Sequence, residues 1–218
     1  MMEVDDVSRD VRGLGTGRWA ALVVSEVQNA WCNPAYDDSP LARQSAERGI
    51  VDRINELAGA FRAAGLPVIF CTIAARDAEW TGWRVTSPLQ GQLRRDGRCV
   101  TGTRHGGLHD DLEIRDSDIV VHRYHGLSPF TGADLDATLR NFEIDTVVLA
   151  GVSTNIALPT GAAEAVALGY TVVLAEDATA GGTAETHQVQ ITMHLPLLAT
   201  ISCNADVIAA LEPAASVA

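Results

Sequence analysis

Three positions in this sequence could carry catalytic chemistry, and each of them follows a short apolar run. Glu26 comes after the first run and Arg123 after the third. The fourth run ends in the turn Gly151-Val-Ser-Thr-Asn-Ile-Ala157. A carboxylate in such a place is either a general acid or base or a structural partner of a helix end. An arginine there clamps an anion or forms a structural ion pair. The turn leads into a helix, whose free N–H groups can hold an oxyanion.

These residues need a scaffold, and the hydrophobic pattern predicts one. Short runs rich in Val, Ile and Leu alternate with longer amphipathic stretches, which is typical of a parallel sheet covered by helices on both faces. The predicted strands are Trp19–Ser25, Leu66–Thr72, Asp118–His122, Asp145–Gly151, Tyr170–Ala175 and Leu198–Cys203. The predicted helices are Leu41–Ala64, Gly132–Phe142, Thr154–Leu168 and Thr183–His194. The fold class is therefore α/β with three layers. Residues 76–107 form one long irregular stretch, as expected of a lid or a partner-facing segment.

Composition narrows the functional classes. The chain has 218 residues, 47% of them hydrophobic, and a net charge of −12, which disfavours nucleic acid as a partner. No apolar run approaches the length that a membrane span requires. We expect a flexible arm over residues 1–17, a single domain over 18–210 and a short tail over 211–218. The four scattered cysteines and the lack of an export signal predict reduced thiols and a cytoplasmic location.

Several segments together resemble one known family. The turn at 151–157 is similar to the G-V-x-T-N-x-C loop of the isochorismatase-like cysteine hydrolases, which include nicotinamidases and related amidases. Ala21-Leu-Val-Val-Ser-Glu-Val-Gln-Asn29 resembles that family's first strand, which usually reads A-L-L-V-I-D-x-Q-N. Residues 119–135 resemble its V-V-x-K and S-A-F-x-G-T-x-L segment, and residues 169–178 continue the likeness. The resemblance spans roughly residues 18 to 205.

The resemblance implies a six-stranded, mostly parallel sheet in the order 3-2-1-4-5-6, as in a Rossmann-type fold. It also implies three catalytic positions, all of which differ here. Glu26 stands at the family's aspartate. Arg123 or Tyr124 stands at its lysine, depending on the end from which the segment is counted. Ala157 stands at its nucleophilic cysteine. The resemblance also implies a cis peptide bond between Val152 and Ser153.

Other residues complete the predicted site. We expect Gln28 and Asn29 to orient the loop after Glu26, and the turn to supply the backbone cradle. Aromatic and polar side chains near the strand ends are candidates for a small-ligand pocket or, individually, for core packing. The full set of predicted ligand-binding residues is Gln28, Trp31, Trp80, Tyr124, His125, Phe130, Ser153, Thr154 and Asn155. His105, His109, His187 and His194 are solitary, which favours structural roles. We predict no metal and no cofactor.

Two functions follow from this pattern. The first is a hydrolase that acts on a small, anionic or carbonyl-containing molecule without a covalent cysteine intermediate, with Glu26 as the general acid or base. The second is an inactive family member that binds a small molecule or another subunit. A third and weaker alternative makes Cys32 the nucleophile. The resemblance also implies a homo-oligomer, either a dimer or a tetramer.

Overall fold

A computed structural model describes residues 11–15 and 17–211 of the chain. Within these residues, six parallel strands form one sheet in the order β3-β2-β1-β4-β5-β6, which confirms the predicted fold. The strands are β1 (Ala20–Ser25), β2 (Val68–Ile73), β3 (Ile119–Arg123), β4 (Thr146–Val152), β5 (Thr171–Ala180) and β6 (Thr200–Ser202). Every residue of β1, β2 and β4 is buried, as expected of strands with helices on both faces.

Helices cover the two faces of the sheet, and the sheet separates two hydrophobic cores. They are α1 (Asn29–Cys32), α2 (Pro40–Glu47), α3 (Ile50–Ala63), α4 (Pro88–Asp96), α5 (Leu135–Asn141), α6 (Ala157–Ala167), α7 (Ala184–Val189) and α8 (Asn204–Ala210). A π-helical turn over Gln190–His194 and a 3-10 turn over Leu195–Leu197 follow α7. The stripe of Ile50, Ile54, Leu57 and Phe61 on α3 is completely buried on one face of the sheet. Leu135 and Leu139 of α5 are buried on the other.

Several predicted elements differ from the observed ones. The single helix predicted over 41–64 is two helices, because Gly49 between them takes a left-handed backbone with φ 61°. Strand β5 runs to Ala180, five residues beyond its predicted end. The long stretch 76–107 contains α4, whose N-cap Ser87 accepts a hydrogen bond from the Gln90 backbone and whose first residue is Pro88.

Part of the predicted flexible arm packs onto the body of the protein. Val11 and Leu14 are buried in the first hydrophobic core, and the Thr146 hydroxyl donates to the carbonyl of Gly13 at 2.5 Å. The rest of the predicted arm, residues 1–10 and 16, and residues 212–218 of the predicted tail lie outside the described residues. Within the described ranges, no helix has both the length and the apolar character that crossing a membrane would require.

The contact between β4 and β1 leaves no room for a side chain at Gly151. Its φ is 95°, and a Cβ there would lie 2.3 Å from the carbonyl oxygen of Ser25. We expect Gly151→Ala to lower the free energy of unfolding by about 2–4 kcal/mol, because backbone strain and a steric clash add. Gly169, with φ 94° and no atom near its hypothetical Cβ, is the matched control. In urea titrations of both variants, Gly169→Ala should lower the free energy of unfolding by the backbone strain alone, about 1–2 kcal/mol. Equal losses in the two variants would contradict the steric argument.

Candidate functional site

The sheet order brings the carboxyl ends of β1 and β4 together, where the direction of the strand order reverses. Ser25 of β1 is the register partner of Gly151 of β4, so the residues that follow them are neighbours. Ligands of doubly wound sheets bind in the crevice at this point. A cavity of about 450 Å³ lies there in this protein. Five predicted site residues line it, namely Glu26, Trp31, Ser153, Asn155 and Ala157.

Glu26 and Arg123 form an ion pair beside this cavity. Glu26 leaves β1 in a left-handed conformation with φ 54°, and its backbone N–H donates to Cys71 on β2 at 2.8 Å. Its carboxylate accepts a hydrogen bond from Nη2 of Arg123, the last residue of β3. Arg123 is 1% exposed, and its Nε and Nη1 have no acceptor among the described residues. The pair therefore presents the carboxylate to the cavity and keeps the guanidinium behind it.

Tyr124, the alternative occupant of the lysine position, lies elsewhere. Its ring packs edge-on against His122, with 4.6 Å between the ring centroids. The guanidinium of Arg76 lies 3.7 Å above the same ring. Tyr124 does not line the cavity. The residue beside Glu26 is thus Arg123, as counting from Ile119 predicts.

The turn at 151–157 lines the cavity through Ser153, Asn155, Ile156 and Ala157. The peptide bond between Val152 and Ser153 is cis, as the family resemblance implies. Helix α6 begins at Ala157, three residues later than predicted, and no side chain caps it. Instead, the Asn155 side-chain oxygen accepts from the backbone of Gly182 at 3.0 Å. Within the described part of the chain, the backbone N–H of Ala157 donates to no acceptor. That N–H can hold a developing negative charge.

Gln28 does not line the cavity, contrary to the expectation that it binds the ligand, but its contacts fit the other expectation, that it orients the loop after Glu26. It is fully buried, and its amide connects three segments instead of facing the cavity. Its Oε1 accepts from the Ile73 backbone at 2.9 Å, and its Nε2 donates to the carbonyls of Ile73 and Gly106 at 3.0 and 2.7 Å. Gln28 therefore fixes the loop after β1 against β2. Asn29 acts similarly, by donating to the Arg104 carbonyl and to Asp110.

Several aromatic and polar candidates also lie away from the cavity lining. Trp80 is buried against Trp83, with 4.8 Å between their ring centroids. Phe130 is buried beside Tyr170 in the second core, and His125 is exposed. Trp80 and Phe130 are therefore packed in the core, which was the other role expected of these aromatic side chains. The remaining candidate is Thr154, which is completely buried behind the turn.

Several residues that line the cavity were not predicted from the sequence. Asp37 is buried and accepts from Nη2 of Arg98 at 2.8 Å, and Arg98 also donates to the Tyr36 carbonyl at 3.1 Å. Helix α4 forms one wall through Leu89, Gln92, Leu93 and Asp96. Only the length of the irregular stretch 76–107, which contains α4, suggested that this segment lies near a site, because loops of that length often cover one. Apolar side chains make up most of the wall.

Cys32 cannot easily serve as a nucleophile. Burial raises the pKa of its thiol to about 12, so the reactive thiolate is scarce at neutral pH. The pKa values of Cys71 and Cys99 are also raised to about 12 by burial. In residues 11–15 and 17–211 no group of three or more His, Cys, Asp or Glu side chains is placed to hold a metal ion.

A charged cluster behind the turn escaped the sequence analysis. Glu176, on β5, accepts from Arg48 at 2.7 Å and contacts Nε2 of His187 at 2.9 Å. The hydrogen bond from His187 and the positive charge of Arg48 hold the pKa of the Glu176 carboxyl below its ordinary value, although burial opposes them. Its partners lie 128 and 11 residues away along the chain. Sequence spacing could not have revealed this cluster.

Comparison with known proteins gives a consistent result. Residues 20–206 match the isochorismatase domain. The chain is 33% identical over 164 residues to the uncharacterized isochorismatase family protein YecD of Escherichia coli O157:H7, covering 74% of this chain and 83% of YecD. It is 30% identical over 173 residues to the ureidoacrylate amidohydrolase RutB of Stutzerimonas stutzeri, covering 73% and 68%. A solved isochorismatase family protein from Burkholderia thailandensis is 28% identical, with a TM-score of 0.72 over 91% of this chain and 98% of that one.

The lowered pKa of Glu176 makes stability depend on pH. Because the folded pKa is below the unfolded one, the cluster stabilises the protein above the ordinary glutamate pKa, and the stabilisation is lost as the pH falls through the folded value. We expect Glu176→Gln to lower the free energy of unfolding at pH 7 by about 1 kcal/mol. The difference from the parent protein should shrink progressively below pH 4.5. Urea titrations across pH 3–7 measure it, and a difference that does not change with pH would contradict the assignment.

Proposed function

The chain belongs to the isochorismatase family, and from that premise we propose that it hydrolyses a small carbonyl-containing molecule without a covalent cysteine intermediate. The observation that carries the proposal is the carboxylate of Glu26 in the cavity wall, held by the buried Arg123. The similarity to RutB, which is an amidohydrolase, supports a hydrolytic reaction at a carbonyl group. Ala157 lines the cavity at the position that the resemblance gives to the nucleophile, and its side chain has no reactive atom.

Water then has to be the nucleophile, and Glu26 is its general base. Arg123 stabilises the ionised carboxylate, which takes a proton from water while the water oxygen attacks the carbonyl carbon. The N–H of Ala157 stabilises the oxyanion that forms, and Glu26 returns its proton to the leaving group as the intermediate collapses. One carboxylate contributes about 10²–10⁴-fold, which suits an activated ester better than an unactivated amide.

The charges around the cavity bear on the class of substrate. Three carboxylates, those of Glu26, Asp37 and Asp96, line it against one guanidinium, that of Arg98. Arg123 lies behind Glu26, and Arg98 is bound to Asp37. An ionised carboxylate accepts hydrogen bonds but cannot donate them, so it repels an anionic group and favours a neutral or cationic donor. A neutral carbonyl-containing substrate therefore fits better than an anionic one.

The second candidate function is a binding protein that has lost catalysis. The observation that favours it is the change of all three positions that the resemblance marks as catalytic, which are now Glu26, Arg123 and Ala157. The cavity would remain able to bind a ligand in that case. Retention of an acid paired with a base at two of these positions favours the catalytic alternative.

The first test is the Glu26→Gln variant, assayed with the parent protein on a panel of small esters, amides and enol ethers. We expect the parent to hydrolyse at least one of the esters. The variant should retain ligand binding and lose turnover by roughly 10²–10⁴-fold, because the amide cannot accept the proton. Gln92→Ala, in the same cavity wall, is the control and should keep most of the turnover. No turnover by the parent on any substrate would favour the binding role instead.

The second test measures charge preference with three probes of nearly equal shape. Benzamidine is cationic, benzamide is neutral and benzoate is anionic. We expect calorimetric titration to show the weakest binding for benzoate, because the carboxylates in the wall repel it. Asp96→Asn should narrow the difference between benzamidine and benzoate, whereas Asp116→Asn, away from the cavity lining, should not. Tightest binding of benzoate would reverse the substrate assignment.

A further inference from the structure

A chain of buried hydrogen bonds runs from the surface to the back of the 151–157 turn. Oε1 of Glu176 lies 2.9 Å from Nε2 of His187, and Nδ1 of His187 lies 3.2 Å from the hydroxyl of Thr154. Arg48 holds the outer end by donating to the Glu176 carboxylate and to the carbonyls of Glu176 and Thr179. His187 is 3% exposed and Thr154 is completely buried. His187, which was predicted to be solitary, thus has two side-chain partners.

The order of donors along this chain follows from the chemistry of its members. A carboxylate only accepts, so in the neutral imidazole Nε2 of His187 carries the proton and Nδ1 is an acceptor. The Thr154 hydroxyl then donates to Nδ1. This connectivity is that of an acid, a base and a hydroxyl, as in nucleophilic hydrolases. The hydroxyl of Thr154, however, points away from the cavity, since Ser153 and Asn155 line it and Thr154 does not.

The surroundings of Thr154 leave it little freedom. Its backbone N–H donates to the Ala180 carbonyl at 2.9 Å. A Cβ at Gly181 would come within 2.6 Å of its hydroxyl oxygen. The next residue, Asn155, is held by Gly182. Fixing Thr154 therefore fixes the direction of the peptide groups that lead into α6.

We propose that Glu176 and His187 act through Thr154 as positioning residues, which aim the backbone N–H groups of Asn155 and Ala157 into the cavity, while that of Ile156 donates to the Ser153 carbonyl. The proposal rests on the function proposed above, in which this turn holds the oxyanion. Small rotations of a donor weaken electrostatic stabilisation of a developing charge, so the effect should be large at the site. Neither Glu176 nor His187 touches the cavity.

A thiol introduced at Ala157 can report on these N–H groups without any substrate. Thiolates at helix N-termini are stabilised by the N–H groups, which lowers the thiol pKa. The test protein is Ala157→Cys in a Cys203→Ser background, because Cys203 is the one partly exposed native thiol among the described residues. The rate of alkylation by iodoacetamide is followed from pH 5 to 10. Each further substitution is added to this protein.

Thr154→Val removes the hydroxyl and Thr154→Ser keeps it. We expect the valine variant to show a higher apparent thiol pKa and roughly three- to tenfold slower alkylation at pH 7, and the serine variant to match the parent. Glu176→Gln should shift the profile in the same direction as valine. Should the valine variant fail to fold, the Glu176→Gln profile decides the question alone.

Loss of stability by itself must not move this readout. Asn204, the first residue of α8, donates a hydrogen bond of 2.8 Å to the Arg53 carbonyl. The Asn204→Ala variant, which loses this bond, should be less stable and should keep the alkylation profile unchanged. Unchanged profiles in both Thr154→Val and Glu176→Gln would overturn the positioning role. Because alkylation requires no turnover, that outcome would be distinct from failure of the proposed hydrolase, which the Glu26→Gln assay decides.

Discussion

A buried guanidinium without a counter-charge is strongly unfavourable, and the ion pair between Arg123 and Glu26 meets that constraint. Removing one partner of such a pair typically costs about 3–5 kcal/mol. The two residues are 97 positions apart and lie at the ends of β3 and β1, with β2 between them. The pair thus depends on the strand order, and in turn it fixes the carboxylate in the cavity wall. Gln28 supports the same arrangement by tying the loop after β1 to the end of β2.

The two walls of the cavity have complementary chemistry. One wall presents an acceptor, the Glu26 carboxylate, and the other presents a donor, the N–H at the start of α6. A polar group that has both a donor and an acceptor can bridge them, and Trp31, Leu89 and Leu93 supply apolar surface for the rest of a ligand. A thiol is not needed for this binding mode. The same geometry would serve a receptor and a non-covalent hydrolase, which differ only in whether Glu26 exchanges a proton.

The fold was predictable because its signals are local. Runs such as 147–152 are apolar throughout, and Gly169 ends a helix before the next strand. Glu26 and Ala157 were found for the same reason, since a strand end can be read from sequence. The break at Gly49 was missed because helical segments flank it on both sides, so the glycine was interpreted as a residue inside one helix. Packing partners, such as Trp83 for Trp80 or His187 for Thr154, depend on contacts that no local pattern specifies.

Glu26 occupies a backbone conformation that glycine adopts far more readily. A glutamate with φ 54° carries a conformational penalty of about 1–3 kcal/mol. Glycine would relieve that penalty but would leave the guanidinium of Arg123 uncompensated, so the most relaxed backbone and the best-balanced charge require different residues. Local geometry and electrostatics are thus frustrated at this position. Attempts to increase thermal tolerance by correcting unusual dihedral angles would select against the carboxylate on which the cavity depends.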